Sequence, residues 1–278
     1  GRGSGPKANC CRGGAGMSGG SMIDTGSGPV VVMLHGAPDH EDEWRDLIAL
    51  LSADHRCIAL DLPGMGQFGP VPESYDYSPR AQADWFERWR RTTLGDLPFT
   101  LVAHDIGAIM AASWAALYPD PAQRVIVSNT VLSPDHDWVG ITRVWASPIL
   151  GPLFMATLIG PAFRFAFGKN LLGVRDDQIR SMYAGLTRTA RRSLLQFYRR
   201  LTRQDFFASV ADDLATLSER CDLTTVWGQE DILIDPGEAD RIGGRVIRLD
   251  GCGHWVPLER PDVLAAAVRE MPEEWVAE

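Results

Sequence analysis

The sequence predicts an α/β fold in which a mostly parallel sheet is flanked by helices and carries one helical insertion. Short apolar, β-branched runs alternate with helical patterns along most of the chain, which is typical of a parallel sheet. The alternation stops between residues 133 and 218, where helical and Pro/Gly-rich apolar segments occur without a clear strand. The 278 residues and their 45% hydrophobic content suffice for a sizeable core.

The elements divide the chain into a tail, a core and a cap. Strands are predicted at 30–34, 57–61, 99–103, 124–128, 223–227 and 245–249, and helices at 80–92, 106–118 and 261–270. We expect residues 29–132 and 219–278 to form the core, and 133–218 to form a helical cap over the carboxyl ends of the strands. Residues 1–28 are Gly- and Ser-rich and are interpreted as a flexible tail or an expression remnant.

Composition and charge argue against several classes of function. A net charge of −9 leaves no basic surplus for binding the phosphates of nucleic acids. The five cysteines are an odd number and mostly scattered, which favours reduced thiols and a cytoplasmic protein. Cys252 and His254 form at most half of a metal site, so no metal is expected. The uncharged stretch 145–163 is interrupted by prolines, which favours a buried or ligand-facing part of the cap over a membrane span.

A carboxylate lies where the third strand pattern changes into a helix. In Ala-His-Asp-Ile-Gly (103–107), small residues stand two positions before and two positions after Asp105. A nucleophile on a sharp strand-to-helix turn needs this spacing, because side chains at those positions would clash. An aspartate that merely caps the helix is the alternative interpretation.

Other candidate residues follow other strands. Asp231 lies in the loop after the fifth strand and His254 in the loop after the sixth, so both are expected near Asp105 at the carboxyl edge of the sheet. The turn "LHGAP" after the first strand can offer the backbone N–H of Ala37, and the N–H of Ile106 would complete an oxyanion hole. The chain order nucleophile, acid, histidine is that of α/β-hydrolases.

The motifs "HGAP", "DLPGMG", "AHDIGA", "WGQED" and "GCGHW" together resemble the α/β-hydrolase superfamily. An aspartate at the turn is similar to the branch of epoxide hydrolases and haloalkane or haloacid dehalogenases. This resemblance implies an α/β-hydrolase core with a helical cap, no cofactor, and attack by the Asp105 carboxylate to form an alkyl ester. His254, oriented by Asp231, would then activate the water that hydrolyses the ester.

The resemblance also bears on the leaving group. Haloalkane dehalogenases usually have Trp after the nucleophile and often Asn in the first turn, whereas this chain has Ile106 and Ala37. Epoxide hydrolases protonate the opening ring with cap tyrosines, and "SLLQFYRRLTR" resembles the cap helix that carries one, with Tyr198 in the matching position. An ordinary core tyrosine is the alternative. Candidates for a second donor are His136, Trp138, Trp145 and Tyr183.

The sequence therefore predicts an enzyme that hydrolyses epoxides to diols, with water and a hydrophobic small molecule as its substrates. The alternatives are a dehalogenase with the same triad of Asp105, Asp231 and His254, a binding protein without catalysis, and a biosynthetic enzyme that uses Asp105 in ring opening or cyclisation. A homodimer is left open. Residues predicted to line the pocket are His104, Pro38, Trp145, Phe154 and Trp255.

Overall fold

The computed structural model describes residues 21–118, 122–133, 136, 138, 140–158, 160–167, 173–208, 210, 214 and 217–270. A seven-stranded sheet has the order β1-β3-β2-β4-β5-β6-β7. All neighbouring strands are parallel except β1 and β3. The strands are β1 (Met22–Gly26), β2 (Val30–Leu34), β3 (Arg56–Leu60), β4 (Phe99–His104), β5 (Ala122–Ser128), β6 (Leu223–Gly228) and β7 (Arg245–Leu249).

Helices cover both faces of the sheet, and a helical insertion lies between β5 and β6. The core helices are α1 (Arg45–Leu51), preceded by a 3₁₀ turn (Glu41–Trp44), α2 (Pro79–Thr93), α3 (Asp105–Leu117), α10 (Glu238–Ile242), α11 (Val256–Glu259) and α12 (Pro261–Arg269). The insertion contains α4 (Ile141–Ala146), α5 (Leu150–Thr157), α6 (Gly160–Phe167), α7 (Asp176–Gly185), α8 (Arg188–Leu201) and α9 (Leu217–Arg220). Within the ranges that the structure describes, no helix is long and apolar enough to cross a membrane.

The structure confirms the six predicted strands and corrects the prediction for the N-terminal segment. Part of the predicted tail, Met22–Gly26, forms the edge strand β1, which pairs antiparallel with β3. Asp24 in β1 accepts hydrogen bonds from the Arg56 guanidinium at 2.7 and 3.0 Å. Because most of β1 is only partly buried, its sequence has no strong hydrophobic pattern. Residues 1–20 of the predicted tail lie outside the described residues.

The central strands separate two apolar layers. In β2, Val30, Val32 and Leu34 belong to one cluster and Val31 and Met33 to the other, as the two-residue period of a strand requires. The first cluster packs against α2, α3 and the helical insertion, and the second against α1 and α12. Burial on both faces explains why the strand sequences are continuously apolar.

Close packing fixes the position of α3 beneath the sheet edge. Gly107, in the first turn of α3, lies against the end of β2. A Cβ atom at this position would be 2.4 Å from the carbonyl oxygen of Leu34 and 2.5 Å from that of His35. The helix can therefore approach the strand so closely only because residue 107 has no side chain.

Replacement of this glycine is predicted to destabilise the fold. Gly107→Ala should lower the free energy of unfolding by about 1–3 kcal/mol, because backbone oxygens cannot move aside cheaply. Gly160→Ala is the matched control, since a Cβ there meets nothing within 4 Å. Urea denaturation of both variants tests the prediction, and equal stability of the two would contradict it.

Candidate active site

Asp105 lies on a sharp turn at the carboxyl end of β4. Its φ of +47° is uncommon for a residue other than glycine. Its Oδ2 accepts a hydrogen bond of 2.9 Å from the backbone N–H of Ala37, and its carbonyl oxygen accepts one of 2.8 Å from the Thr130 hydroxyl. The carboxylate is thus held by the β2 turn rather than by its own helix, which disfavours the capping interpretation.

Asp231 and His254 are brought together from the loops after β6 and β7. His254 Nδ1 and Asp231 Oδ2 are 2.8 Å apart. The other oxygen of Asp231 accepts hydrogen bonds of 2.8 and 3.1 Å from the N–H groups of Leu233 and Ile234. These contacts fix the carboxylate of Asp231. Because Nδ1 of His254 faces this carboxylate, Nε2, the other ring nitrogen, points away from it.

Neighbouring negative charges determine the pKa of His254. Burial lowers the pKa of His254, but the charge and hydrogen bond of Asp231 and the charges of Asp105 and Glu43 raise the pKa to about 9. Burial likewise raises the pKa of Asp231, but the charge and hydrogen bond of His254, with the Asn129 bond, bring that pKa below its usual value. The pair is therefore an imidazolium and a carboxylate at neutral pH.

Glu43 and His104 form a buried support beneath the site that the sequence did not reveal. Glu43 Oε2 accepts a 2.7 Å hydrogen bond from the N–H of Gly36, and its Oε1 lies 2.5 Å from His104 Nδ1. His104 Nε2 lies 3.0 Å from the carbonyl oxygen of His254. The pair therefore links the turn that carries Ala37 to the loop that carries His254.

Asn129 is a further residue at the candidate site that the sequence did not reveal. Its Nδ2 donates a 2.7 Å hydrogen bond to Asp231 Oδ2, and its Oδ1 accepts one of 3.1 Å from the Gly228 N–H. Its φ is +40°, and asparagine tolerates this region better than most residues. A polar residue directly after the apolar β5 strand was the available signal.

A cavity of about 130 Å³ opens onto Asp105 and His254. Ala37, Asp105, Trp145, Tyr198, His254 and Trp255 line it, together with His136, Trp138, Gly140, Ile141, Thr142 and Ile232–Ile234. The structure thus brings most of the predicted site residues to one space. Three of the candidate second donors, His136, Trp138 and Trp145, are among them.

Six predicted residues lie outside this lining. His104 is buried behind Asp105, and Phe154 packs against Trp145 with ring centroids 6.5 Å apart. Tyr183 packs against Phe163 instead of reaching the cavity. The other three are Asp231, Pro38 and Ile106.

Tyr198 enters the cavity from α8, a helix of the insertion. Its ring makes an edge contact with Trp145, with the centroids 4.8 Å apart. Burial, reinforced by the negative charge of Asp105, raises the pKa of the phenol well above its usual value. The hydroxyl therefore stays protonated and can act as a hydrogen-bond donor.

The described residues do not offer a metal site. Among them, no group of three or more His, Cys, Asp or Glu side chains is arranged to hold a metal ion. Cys252 is buried, which raises the pKa of its thiol to about 12. A larger cavity of about 270 Å³ contains no member of the triad; it lies between the 3₁₀ turn, α1 and α7, where Asp39, Asp46 and Arg175 line it.

Comparison with known proteins identifies the family. The family model described as "Alpha/beta hydrolase family" matches residues 31–267, so the chain belongs to that family. The epoxide hydrolase CorEH superimposes with a TM-score of 0.74 at 21% identity, covering 89% of this chain and 92% of its own. The haloalkane dehalogenase DbeA from Bradyrhizobium elkani superimposes with a TM-score of 0.74 at 24% identity, and the match covers 92% of this chain and 93% of DbeA. These similarities confirm the predicted α/β-hydrolase fold.

One relative matches over nearly its whole length. The cis-3-alkyl-4-alkyloxetan-2-one decarboxylase of Xanthomonas campestris is 29% identical, and the match covers 91% of this chain and 92% of that protein. Family members that this chain resembles therefore act on different substrates.

The charge of His254 is predicted to depend on Asp231. Asp231→Asn should lower the pKa of His254 from about 9. Burial lowers this pKa, and the variant no longer has the Asp231 charge that raises it. Asp235→Asn is the control, since Asp235 is exposed on the same loop. NMR titration of the histidine ring protons measures the pKa, and an unchanged value in Asp231→Asn would contradict the assignment.

Proposed function

We propose that this chain opens the strained oxygen ring of a hydrophobic substrate by attack of Asp105, and that it hydrolyses epoxides to diols. One observation carries the proposal: the carboxylate of Asp105, the hydroxyl-bearing Tyr198 and the ring of His254 line the same small cavity. A carboxylate is ionised without a base and suits displacement at an alkyl carbon.

In the first step, an oxygen of Asp105 attacks a ring carbon and the bond from that carbon to the ring oxygen breaks. Tyr198 donates its proton to the departing oxygen, and Asp105 becomes an alkyl ester. The raised pKa of Tyr198 does not prevent this transfer, because an opened alkoxide is a far stronger base than a phenolate.

In the second step, esterification itself prepares the base. The ester is neutral, so one of the charges that raise the pKa of His254 is lost. The His254 imidazolium can therefore pass its proton to the Tyr198 phenolate left by the first step, which restores the phenol and leaves His254 neutral. Neutral His254 then takes a proton from water, and the resulting hydroxide attacks the ester carbon. The N–H of Ala37, with the predicted N–H of Ile106, stabilises the oxyanion. Collapse releases the diol, whose departing alkoxide takes the proton of the new Asp105 carboxyl group, and leaves Asp105 as a carboxylate and His254 as an imidazolium.

The relative from Xanthomonas campestris supports a second candidate, which is decarboxylation of an oxetan-2-one. Attack of Asp105 on the alkyl carbon of that ring would form the same kind of ester and free a carboxylate two carbons away. Loss of CO₂ would then form the alkene and expel Asp105 as a carboxylate. This route consumes no water, so it does not require His254 as a base.

A dehalogenase has less support. Ile106 is buried and, like Ala37, has no side-chain donor for a departing halide.

Replacement of the base is predicted to trap the ester. His254→Gln exposed to a panel of hydrophobic epoxides should gain the mass of one substrate on the peptide that contains Asp105, because hydrolysis stalls. Intact-mass and peptide mass spectrometry detect the adduct, and the double variant with Asp105→Ala is the control. Turnover by Asp105→Ala alone would contradict the mechanism.

The same variant separates the two candidates. An oxetan-2-one converted to alkene and CO₂ by His254→Gln, with no adduct from any epoxide, would select decarboxylation.

Loss of the Tyr198 hydroxyl is predicted to slow ring opening. Tyr198→Phe should reduce the alkylation rate by roughly ten-fold or more, because the alkoxide then leaves without a proton. Tyr183→Phe is the matched control, since Tyr183 packs outside the cavity. Stopped-flow tryptophan fluorescence follows the step, and equal rates in the two variants would exclude Tyr198 as the acid.

A further inference from the structure

The uncharged stretch 145–163 is only partly buried, which corrects the sequence-based interpretation. Trp145, Met155 and Leu158 point into the molecule. Three side chains at the start of α5 instead face solvent: Ile149 is 77% exposed, Leu150 54% and Leu153 61%. We call these three residues the α5 patch. Large apolar side chains that are exposed side by side are typical of an interaction surface.

The start of α5 is held in place rather than loose. The backbone N–H groups of Ile149 and Leu150 face the hydroxyl of Ser147 at 3.4 and 3.1 Å. Gly151 fits against Leu195 of α8, because a Cβ atom there would lie 3.0 Å from the leucine methyl. The exposed side chains are therefore presented outward by a packed helix.

Positive charge runs along the helix beside the patch. Arg188, Arg192 and Arg199 occur at positions that share one side of α8 with Leu195, the residue that packs on α5. Within the described part of the chain, Arg188 and Arg192 are exposed and form no ion pair. Residues 133–218 contain 11 Lys and Arg against 7 Asp and Glu, although the whole chain has a net charge of −9.

We propose that the α5 patch and the arginines of α8 dock on an anionic lipid surface. Exposed Ile and Leu side chains can insert at the boundary between headgroups and acyl chains, while neighbouring arginines bind the headgroup phosphates. The acidic core remains turned towards water, because anionic headgroups would repel it.

The charge pattern favours lipid over a second copy of the chain. A two-fold dimer through the α5 patch would place the same surface of both copies together. The arginines of the two α8 helices would then face like charges, whereas a phosphate surface neutralises them.

Docking at this surface would bring the catalytic cavity close to its hydrophobic substrates. Ile141 and Trp145 of α4 line the cavity, and α4 packs directly against α5. The lipid-binding inference does not depend on the proposed chemistry, because binding is measured without turnover.

Vesicle flotation of the full chain tests the proposal. The protein should float with phosphatidylglycerol vesicles at low salt and should bind phosphatidylcholine vesicles, or phosphatidylglycerol vesicles at high salt, at least about ten-fold more weakly. The double variant Ile149→Asp/Leu153→Asp and the double variant Arg188→Gln/Arg192→Gln should each lose about ten-fold in affinity. Leu97→Asp is the matched control, because Leu97 is 49% exposed outside the cap, and it should bind like wild type.

Three outcomes would overturn the proposal. Wild-type protein that does not float with phosphatidylglycerol excludes lipid docking, and this result needs no variant to fold. An equal loss of vesicle affinity in Leu97→Asp and in Ile149→Asp/Leu153→Asp assigns the effect to the added negative charge alone. A wild-type dimer in size-exclusion chromatography that Ile149→Asp/Leu153→Asp dissociates, without vesicle binding by either protein, assigns the patch to a second copy.

Discussion

The left-handed turn at Asp105 is the constraint on which the site depends. It converts β4 into α3 without an intervening loop, so the carboxylate stands at the edge of the sheet. The turn leaves no room around it: a Cβ atom on Gly36 would lie 2.6 Å from His104 Nδ1 and 3.0 Å from the Cβ of Asp105. Such a backbone conformation costs about 1–3 kcal/mol. Burial of every residue from 106 to 116 in α3 offsets that cost.

A balance of buried charges is the second property of the site. Three carboxylates, those of Asp105, Asp231 and Glu43, act on the ring of His254 and keep it protonated in the resting protein. The site therefore does not hold an active base until one of those charges disappears. Alkylation of Asp105 removes one, so in the proposed mechanism the first step itself makes His254 a better base for the second.

The sequence predicts those features that local pattern determines. The strands were found because burial on both faces makes them continuously apolar, and Asp105, Asp231 and His254 were found because each follows a strand end. The resemblance of "SLLQFYRRLTR" to a cap helix pointed to Tyr198, and in the structure this residue lies on the buried face of the amphipathic helix α8.

Other features depend on partners that are distant in sequence. The roles of Glu43 and Asn129 arise from contacts with residues 61 to 102 positions away, which no local spacing reveals. The short helix α5 is apolar on almost every side, so its sequence could not show which side chains face solvent. Edge strand β1 is mostly half-buried and was mistaken for part of a tail.

The fate of oxygen in a single turnover tests the central claim most directly. With enzyme in excess over an accepted epoxide in ¹⁸O-labelled water, the account predicts that the first diol contains no ¹⁸O. The label should instead appear in the carboxylate of Asp105, because water attacks the ester carbon and the original oxygen leaves with the product. A first-turnover diol that contains ¹⁸O, with an unlabelled Asp105 peptide, would contradict the account.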